Sequence, residues 1–480
     1  MVTENSSEGL QAAAITTLPY KVEVLETCQI SPPLGSVSST SLPLSFFDLT
    51  PWYTLFPIRA VYYFEVHHPK TYLINTIVPN IKHSLSLTLQ YFFPLAGYIS
   101  WPDDSTKPHI LYKDGDSVPL TVAECNYDFD HLSGKHLRNN ANELYPLIAT
   151  FEEHALSNPK LIPLLNLQIT LFPDSGICIG ITYNHMAMDG RSANHFMKTW
   201  ASLCRSQGDT SLVTESLPFH DRTMVKDRNG IELVYLKDLE TMGMTKETCN
   251  ILKIPDVPID KAQGTFVISC SEIEKLRQWV STRIQKDNQT IPAFHLSTFI
   301  LISAYVWICS IKARRTTEDV LSLRKDPNEY FCFPIDCRAR LDPPLPVTYF
   351  GNAVGTLVVN SDMNELIEEN GMAIAAELIG KAIMNIDTEI WSTMAEGVSY
   401  CHSFPGEQLT YVSSSPKFAK NETDFGWGNK VKKIQTAGGS ICLYDGPNEK
   451  GSVEIDLVRD AFEMNAFAAL FTSSIENLRM

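Results

Sequence analysis

The sequence predicts an α/β protein in two halves, each a mixed sheet flanked by helices. Three observations predict it. Apolar segments with a period of two residues alternate with segments of helical period along the chain. The alternation lacks a regular strand–helix–strand cadence, which favours mixed sheets over a parallel doubly wound sheet. Finally, 480 residues exceed what one core usually serves, and a Ser-, Asp- and Arg-rich stretch at 205–232, with Pro218, interrupts the pattern near its middle. The crossover is placed at 211–232, between halves at 1–210 and 233–480. No short repeat period appears, which excludes solenoids and propellers.

A polar, Ser/Pro-dotted tail covers 1–40, and the alternation at 20–25 reads as an edge strand. A second strand is expected over 60–66, after the loop Phe47-Asp48-Leu49-Thr50-Pro51. Ile81, Leu85, Leu89 and Phe92 recur at helical spacing, so 79–91 reads as a helix that opens on Pro79, where a missing N–H costs nothing. Strands follow at 110–112 and 164–171, then a strongly apolar strand at 176–183. Ala193, Phe196, Met197, Trp200 and Leu203 make one face of a helix over 191–204. In the second half, helices are expected at 271–285, 296–312 and 372–386, and strands at 266–269, 330–336 and 453–457.

Composition bounds the partners. The chain is 44% hydrophobic and 20% charged, an ordinary globular balance. Its net charge of -16 excludes a phosphate-backbone partner, which selects a basic surface, though a small anionic ligand needs only a local basic patch. The longest apolar stretch, 296–309, is too short to span a bilayer and carries Ser297, Thr298 and Ser303, so no membrane partner is expected. The first ten residues lack a signal-peptide pattern. Eleven cysteines are scattered without a CxxC pair, which reads as free thiols in the cytoplasm rather than zinc ligands. The sequons at Asn5, Asn288 and Asn421 are then chance matches.

The segment Tyr183-Asn184-His185-Met186-Ala187-Met188-Asp189-Gly190 carries the chemistry. An apolar strand ends at His185, and after a short turn Asp189 is placed to cap the next helix. A histidine at a strand end can aim its ring into a cleft, and an unperturbed imidazole, at ~6.5, is mostly neutral at cytosolic pH and available as a base. HxxxD alone is weak, because a core histidine followed by a capping aspartate would produce it. A second segment, Asp424-Phe425-Gly426-Trp427-Gly428, reads as a tight loop with φ > 0 positions pinned by a buried tryptophan. It holds no base or nucleophile beyond Asp424, which is expected to bond to its own turn, so the loop is assigned to folding.

HxxxD at 185–189 followed by DFGWG at 424–428 resembles the BAHD acyl-CoA-dependent acyltransferases of plants. Supporting matches cover nearly the whole chain: Leu44-Ser45-Phe46-Phe47-Asp48, Phe93-Pro94-Leu95-Ala96-Gly97, Leu296-Ser297-Thr298-Phe299, Ala304-Tyr305-Val306-Trp307, the run from Arg338-Ala339-Arg340 to Pro346, and Ser415-Pro416-Lys417-Phe418. Tyr349-Phe350-Gly351-Asn352-Ala353 is similar to the YFGNC signature of the anthocyanin and phenolic-glucoside branch, with Ala353 in place of cysteine.

The resemblance implies two chloramphenicol-acetyltransferase-like domains around a central solvent channel. It implies His185 as general base in transfer from acyl-CoA, a co-substrate, to a hydroxyl of a small metabolite, with no metal and no resident cofactor. By the same resemblance Asp189 points away from the channel and pairs with an arginine, Arg338 first and Arg340 second; two apart, they would share one face of a strand. Thr423 and Asn352 are candidates for polarising or binding the acyl-CoA group, and Arg191 and Lys198 for placing positive charge near a malonyl carboxylate. The branch implies malonyl transfer to a phenolic or flavonoid glucoside by a monomer. Hydroxycinnamoyl or acetyl donors, a condensation-type domain served by a carrier protein and a catalytically silent relative are the alternatives.

Overall fold

Two adjacent strands that are buried at every position, Leu165–Phe172 and Gly176–Tyr183, form the middle of the first half. Continuous burial follows from covering both faces of a sheet. The computed structural model describes residues 20–476 except 51–56, 152–160, 242–245, 247–260, 289–293, 318–325, 397–402, 416–422, 429, 436–439 and 447–448. The tail to residue 19, Pro51, the sequons at Asn5 and Asn421, and Pro416, Lys417 and Phe418 lie outside the described residues.

The six-stranded sheet of the first half runs Val22–Ile30, Val118–Cys125, Leu165–Phe172, Gly176–Tyr183, Ile58–Glu65, Lys430–Gln435 in spatial order. Val118–Cys125 and Leu165–Phe172 are parallel, and all other neighbours antiparallel, so the sheet is mixed. On one face lie the helices Val78–Tyr91 and Gly190–Arg205, which bury Ile81, Leu85, Leu89, Phe196 and Trp200; the Trp200 indole donates to the Ile81 carbonyl at 3.3 Å. On the other face the 3₁₀ segment Ala141–Leu147 lies so close that a Cβ on Gly180 would stand 2.0 Å from the Leu147 carbonyl oxygen. Glycine at 180 is what admits that backbone. A smaller sheet orders Thr40–Pro43, His109–Tyr112, Tyr98–Ser100 and Ile162–Pro163.

The second half holds two three-stranded sheets, Val354–Asp362, Asn328–Asp336, Leu409–Tyr411 and Lys261–Ile268, Val453–Asp460, Cys442–Asp445. A bridge between Val412 and Ile441 joins their edges. The helix Thr298–Thr317 packs here against Gly371–Met384 and Ala461–Glu476. Among the described residues no helix is long and apolar enough to cross a membrane.

The halves interlock. Lys430–Gln435 belongs to the chain after 233, yet it adds to Ile58–Glu65 in the first sheet. Arg138 and Gln263 exchange backbone hydrogen bonds at 2.8 Å in both directions. Pro79 also departs from expectation: it does not open a helix, because helical turns at Lys70–Tyr72 and Leu73–Ile77 precede it. The turn before it takes the wider π geometry, which absorbs a residue lacking its N–H.

Candidate active site

The strand Gly176–Tyr183 carries the chain to His185, and local hydrogen bonds turn it there. Asn184 donates its backbone N–H to the Leu164 carbonyl at 2.9 Å, while its side-chain oxygen accepts from Met186 N at 3.0 Å. Met186, Ala187 and Met188 are buried, leaving His185 half-buried as the part of the turn that faces outward. Asp189 then caps the helix Gly190–Arg205, accepting from Ser192 N at 2.9 Å.

Asn352 comes to His185 from the second half. Its Nδ2 donates to Asp48 Oδ1 at 3.0 Å and to the His185 carbonyl at 2.8 Å, both of them acceptors with no proton to give. That fixes the amide orientation, so Asn352 Oδ1 is the atom facing His185 Nδ1 at 3.1 Å. An amide oxygen only accepts, so Nδ1 carries the proton and Nε2 keeps its lone pair. The contact thus selects the tautomer that a general base needs. The amide protons of Asn352 are thereby engaged, by Asp48 and by the His185 carbonyl.

Asp48 anchors this arrangement. It is fully buried; its Oδ1 also accepts from Asn352 N at 3.0 Å, and its Oδ2 accepts from Ser45 N at 2.8 Å, Ser45 Oγ at 2.7 Å and Arg222 Nη1 at 2.7 Å. Arg222 is buried too and donates to the Ala187 carbonyl at 3.2 Å. Neither residue entered the sequence-level site. Asp48 appears in the sequence only as part of a loop and of the Leu44–Asp48 match, and Arg222 lies in the stretch read as linker.

Asp189 is fully buried and faces away from His185 into a second ion pair. Arg338 Nη2 stands 2.9 Å from Asp189 Oδ2 and 3.0 Å from Oδ1. Ala353 N donates to Asp189 Oδ2 at 3.2 Å, and Ser192 Oγ donates to the Gly351 carbonyl at 2.9 Å. Burial disfavours the Arg338 charge, but Asp189 and Asp336 outweigh it and raise the guanidinium pKa. Arg340 goes elsewhere, donating to the Asp336 carbonyl at 3.0 Å. The strand-face argument for the pair does not hold: Arg338–Arg340 is a 3₁₀ turn, and Arg338 is oriented instead by Asp336, which accepts from its N–H at 3.0 Å and its Nη1 at 3.2 Å.

Arg191 donates to Asp336 Oδ2 at 2.8 Å, which ties the guanidinium into this network. Lys198 is half-buried on the same helix. Thr423 is buried, and among the described residues no hydrogen bond joins it to His185 or Asn352.

The DFGWG loop lies far from this chemistry. Gly426 and Gly428 have φ of +83° and +131°, and Asp424 Oδ1 accepts from Gly426 N at 2.8 Å. Phe425 and Trp427 stack at 4.7 Å and meet Phe64 edge-on at 5.3 and 5.5 Å. Phe64 pairs with Ile177, at the end of the strand opposite His185, roughly 20 Å away at the rise of an extended chain. The buried ring is Phe425, which also meets Trp200 at 5.3 Å; Trp427 is only partly buried, contrary to expectation.

The pattern described as "Transferase family" matches residues 20–473. The chain belongs to that family, the BAHD acyltransferases. It is 35% identical to phenolic glucoside malonyltransferase 1 of Nicotiana tabacum over 95% of this chain and 99% of that one. It is 34% identical to malonyl-coenzyme:anthocyanin 5-O-glucoside-6'''-O-malonyltransferase of Salvia splendens, over 94% and 95%. A coumaroyl-CoA:anthocyanidin 3-O-glucoside-6''-O-coumaroyltransferase of Arabidopsis thaliana is 31% identical, over 95% and 97%. The crystal structure of vinorine synthase shares the fold, with a TM-score of 0.68 at 18% identity over 94% of this chain and 98% of that one. Membership makes this BAHD protein an acyl-CoA-dependent O-acyltransferase, with acyl-CoA as co-substrate.

Proposed function

We propose that this protein transfers a malonyl group from malonyl-CoA to a sugar hydroxyl of a phenolic or flavonoid glucoside, with His185 Nε2 as general base. The observation that carries the chemistry is the contact between His185 Nδ1 and Asn352 Oδ1. Nε2 accepts the proton of the acceptor hydroxyl as its oxygen attacks the thioester carbonyl. The tetrahedral intermediate collapses, the C–S bond breaks, and the same proton passes to the departing thiolate sulfur. A thioester is activated enough that no covalent enzyme intermediate is needed. When the ring is protonated, the bond from Nδ1 to Asn352 becomes charge-assisted and therefore stronger, so it stabilises the transition state more than the ground state.

Placement supports a site between the halves, since the base comes from the first and its partner from the second. Asp189 is assigned to holding the turn. Thr423 is the remaining candidate for a donor to the thioester oxygen or to CoA. The malonyl and glucoside assignments rest on the two malonyltransferases, and coumaroyl transfer is the second reading because a coumaroyltransferase stands nearly as near. We read the protein as a cytoplasmic monomer without a resident cofactor, in keeping with its free thiols.

The test offers equal malonyl-CoA and p-coumaroyl-CoA with a flavonoid glucoside and resolves the products by mass. Predominant coumaroyl transfer overturns the malonyl assignment and leaves the family untouched. His185→Ala should fold and lose ~10²–10⁴-fold in turnover; near-native turnover at saturating acyl-CoA would remove His185 from its role.

A further inference from the structure

At the far end of the first sheet from His185, two histidines and a glutamate converge. His131 lies on the short helix Phe129–Ser133, His136 on the loop after it, and Glu143 on the 3₁₀ segment Ala141–Leu147. Their ligand atoms all fall within 4.8 Å of one another, and all three residues are half-buried. His131 Nε2 stands 2.8 Å from Glu143 Oε1, and the two imidazole rings are 4.5 Å apart. Cysteine spacing does not reveal this cluster, because it contains no cysteine.

The loop is held in place by bonds of its own. Arg138 Nη2 donates to the carbonyls of Leu132 at 2.6 Å, Gly134 at 2.9 Å and His131 at 3.3 Å. Its backbone pairs with Gln263 of the second half. Asp128 accepts from His131 N at 3.0 Å and orients the helix. Preorganisation of this kind lowers the ordering cost of binding.

We propose that His131, His136 and Glu143 bind one divalent transition-metal ion, zinc in the first instance, in a structural role. Two imidazoles and one carboxylate are borderline ligands suited to zinc, and three protein ligands leave a fourth position to water. Tetrahedral bonds of ~2.0–2.1 Å put neighbouring ligand atoms roughly 3.3 Å apart. The widest separations here must therefore close, and the His131–Glu143 contact must open slightly; both are within side-chain rotation. Arg138 Nε lies 3.5 Å from Glu143 Oε2, so the guanidinium engages the oxygen that faces away from His131. It orients the carboxylate from the second shell, and its charge weakens the site, which sets the expectation at micromolar rather than nanomolar affinity. Phe129 packs where a Cβ on Gly176 would be, at the start of the strand that ends beside His185, so the ion lies outside the chemistry. It would tie the helix, the loop and the 3₁₀ segment together where Arg138 meets the second half.

The experiment titrates zinc and cobalt chloride into the full chain, following heat, the visible cobalt spectrum and thermal melting. One equivalent should bind, the cobalt spectrum should show nitrogen and oxygen ligation without a thiolate charge-transfer band, and Tm should rise by about 2–5 °C at large excess over Kd. His136→Ala and Glu143→Gln should each lose that equivalent and the Tm response while keeping acyl transfer in the absence of metal. Binding weaker than millimolar, a thiolate band, or an equivalent that survives in the His131→Ala/His136→Ala double variant overturns the proposal.

Discussion

Asn352→Ala is the sharpest probe of the proposed base, because it leaves His185 in place and removes the side chain that meets its ring. Two effects separate on the structure. In catalysis, the ring loses its only side-chain acceptor at Nδ1, 3.1 Å away, among the described residues. A hydrogen bond to a charged group contributes about 1.5–3 kcal/mol, so turnover should fall ~10–150-fold, with further loss from the misplaced tautomer. Because the bond strengthens only as the ring gains charge, kcat should fall while KM for acyl-CoA changes little. In stability, Asp48 Oδ1 loses Asn352 Nδ2 but keeps Asn352 N, and Oδ2 keeps Ser45 and Arg222. The His185 carbonyl also loses a donor. The expected destabilisation is about 1–3 kcal/mol, small enough to leave a folded enzyme to assay. Steady-state kinetics beside a thermal melt read both. A variant with native kcat and a lowered Tm would refute the tautomer argument and leave Asn352 a purely structural residue.

Arg338→Ala strands the Asp189 carboxylate in a site with no water access and should cost about 3–5 kcal/mol, seen in denaturant unfolding, whereas Asp189→Asn keeps acceptor capacity and should cost less. Phe425→Ala should lower stability by about 3–5 kcal/mol and Trp427→Ala by clearly less, since the phenylalanine is the buried member of the stack; the reverse order in urea melts would contradict the packing described. His220 is held neutral by burial, chiefly, with its pKa lowered to about 4. The unfolded chain binds that proton below ~6.5 and the folded one does not, so stability falls as pH drops through this window, by about 2 kcal/mol at pH 5. His220→Gln keeps a donor for the Tyr91 carbonyl and should narrow the Tm difference between pH 7 and pH 5; an unchanged difference argues against the burial effect.

Legibility in the sequence tracked local determination. The strand Gly176–Tyr183 and the helix after it could be placed because burial on both faces and a capping aspartate are written in adjacent residues. Lys430–Gln435 could not, since three lysines in six residues read as surface and its backbone pairs with Ile58–Glu65, more than 350 positions away, at the edge of the first sheet. Arg222 and Asp48 are 174 positions apart, and no local pattern connects an arginine in a turn-rich stretch to a buried aspartate. Arg338 reaches Asp189 from a 3₁₀ turn rather than from a strand face, a geometry that the spacing of Arg338 and Arg340 does not reveal.

The two buried ion pairs explain why the 349–353 loop matters more than its composition suggests. Asp48, balanced by Arg222, takes the N–H and the amide of Asn352; Asp189, balanced by Arg338, takes the N–H of the next residue, Ala353. Consecutive residues are thus gripped by two aspartates from separate parts of the first half, and the grip is what delivers Asn352 to His185. It also decides how to weigh the alanine that stands where the branch signature has cysteine. Ala353 is fully buried, and its N–H is directed to Asp189. Alanine in place of cysteine here is therefore a change of a fully buried side chain, one residue beyond the Asn352 that meets His185.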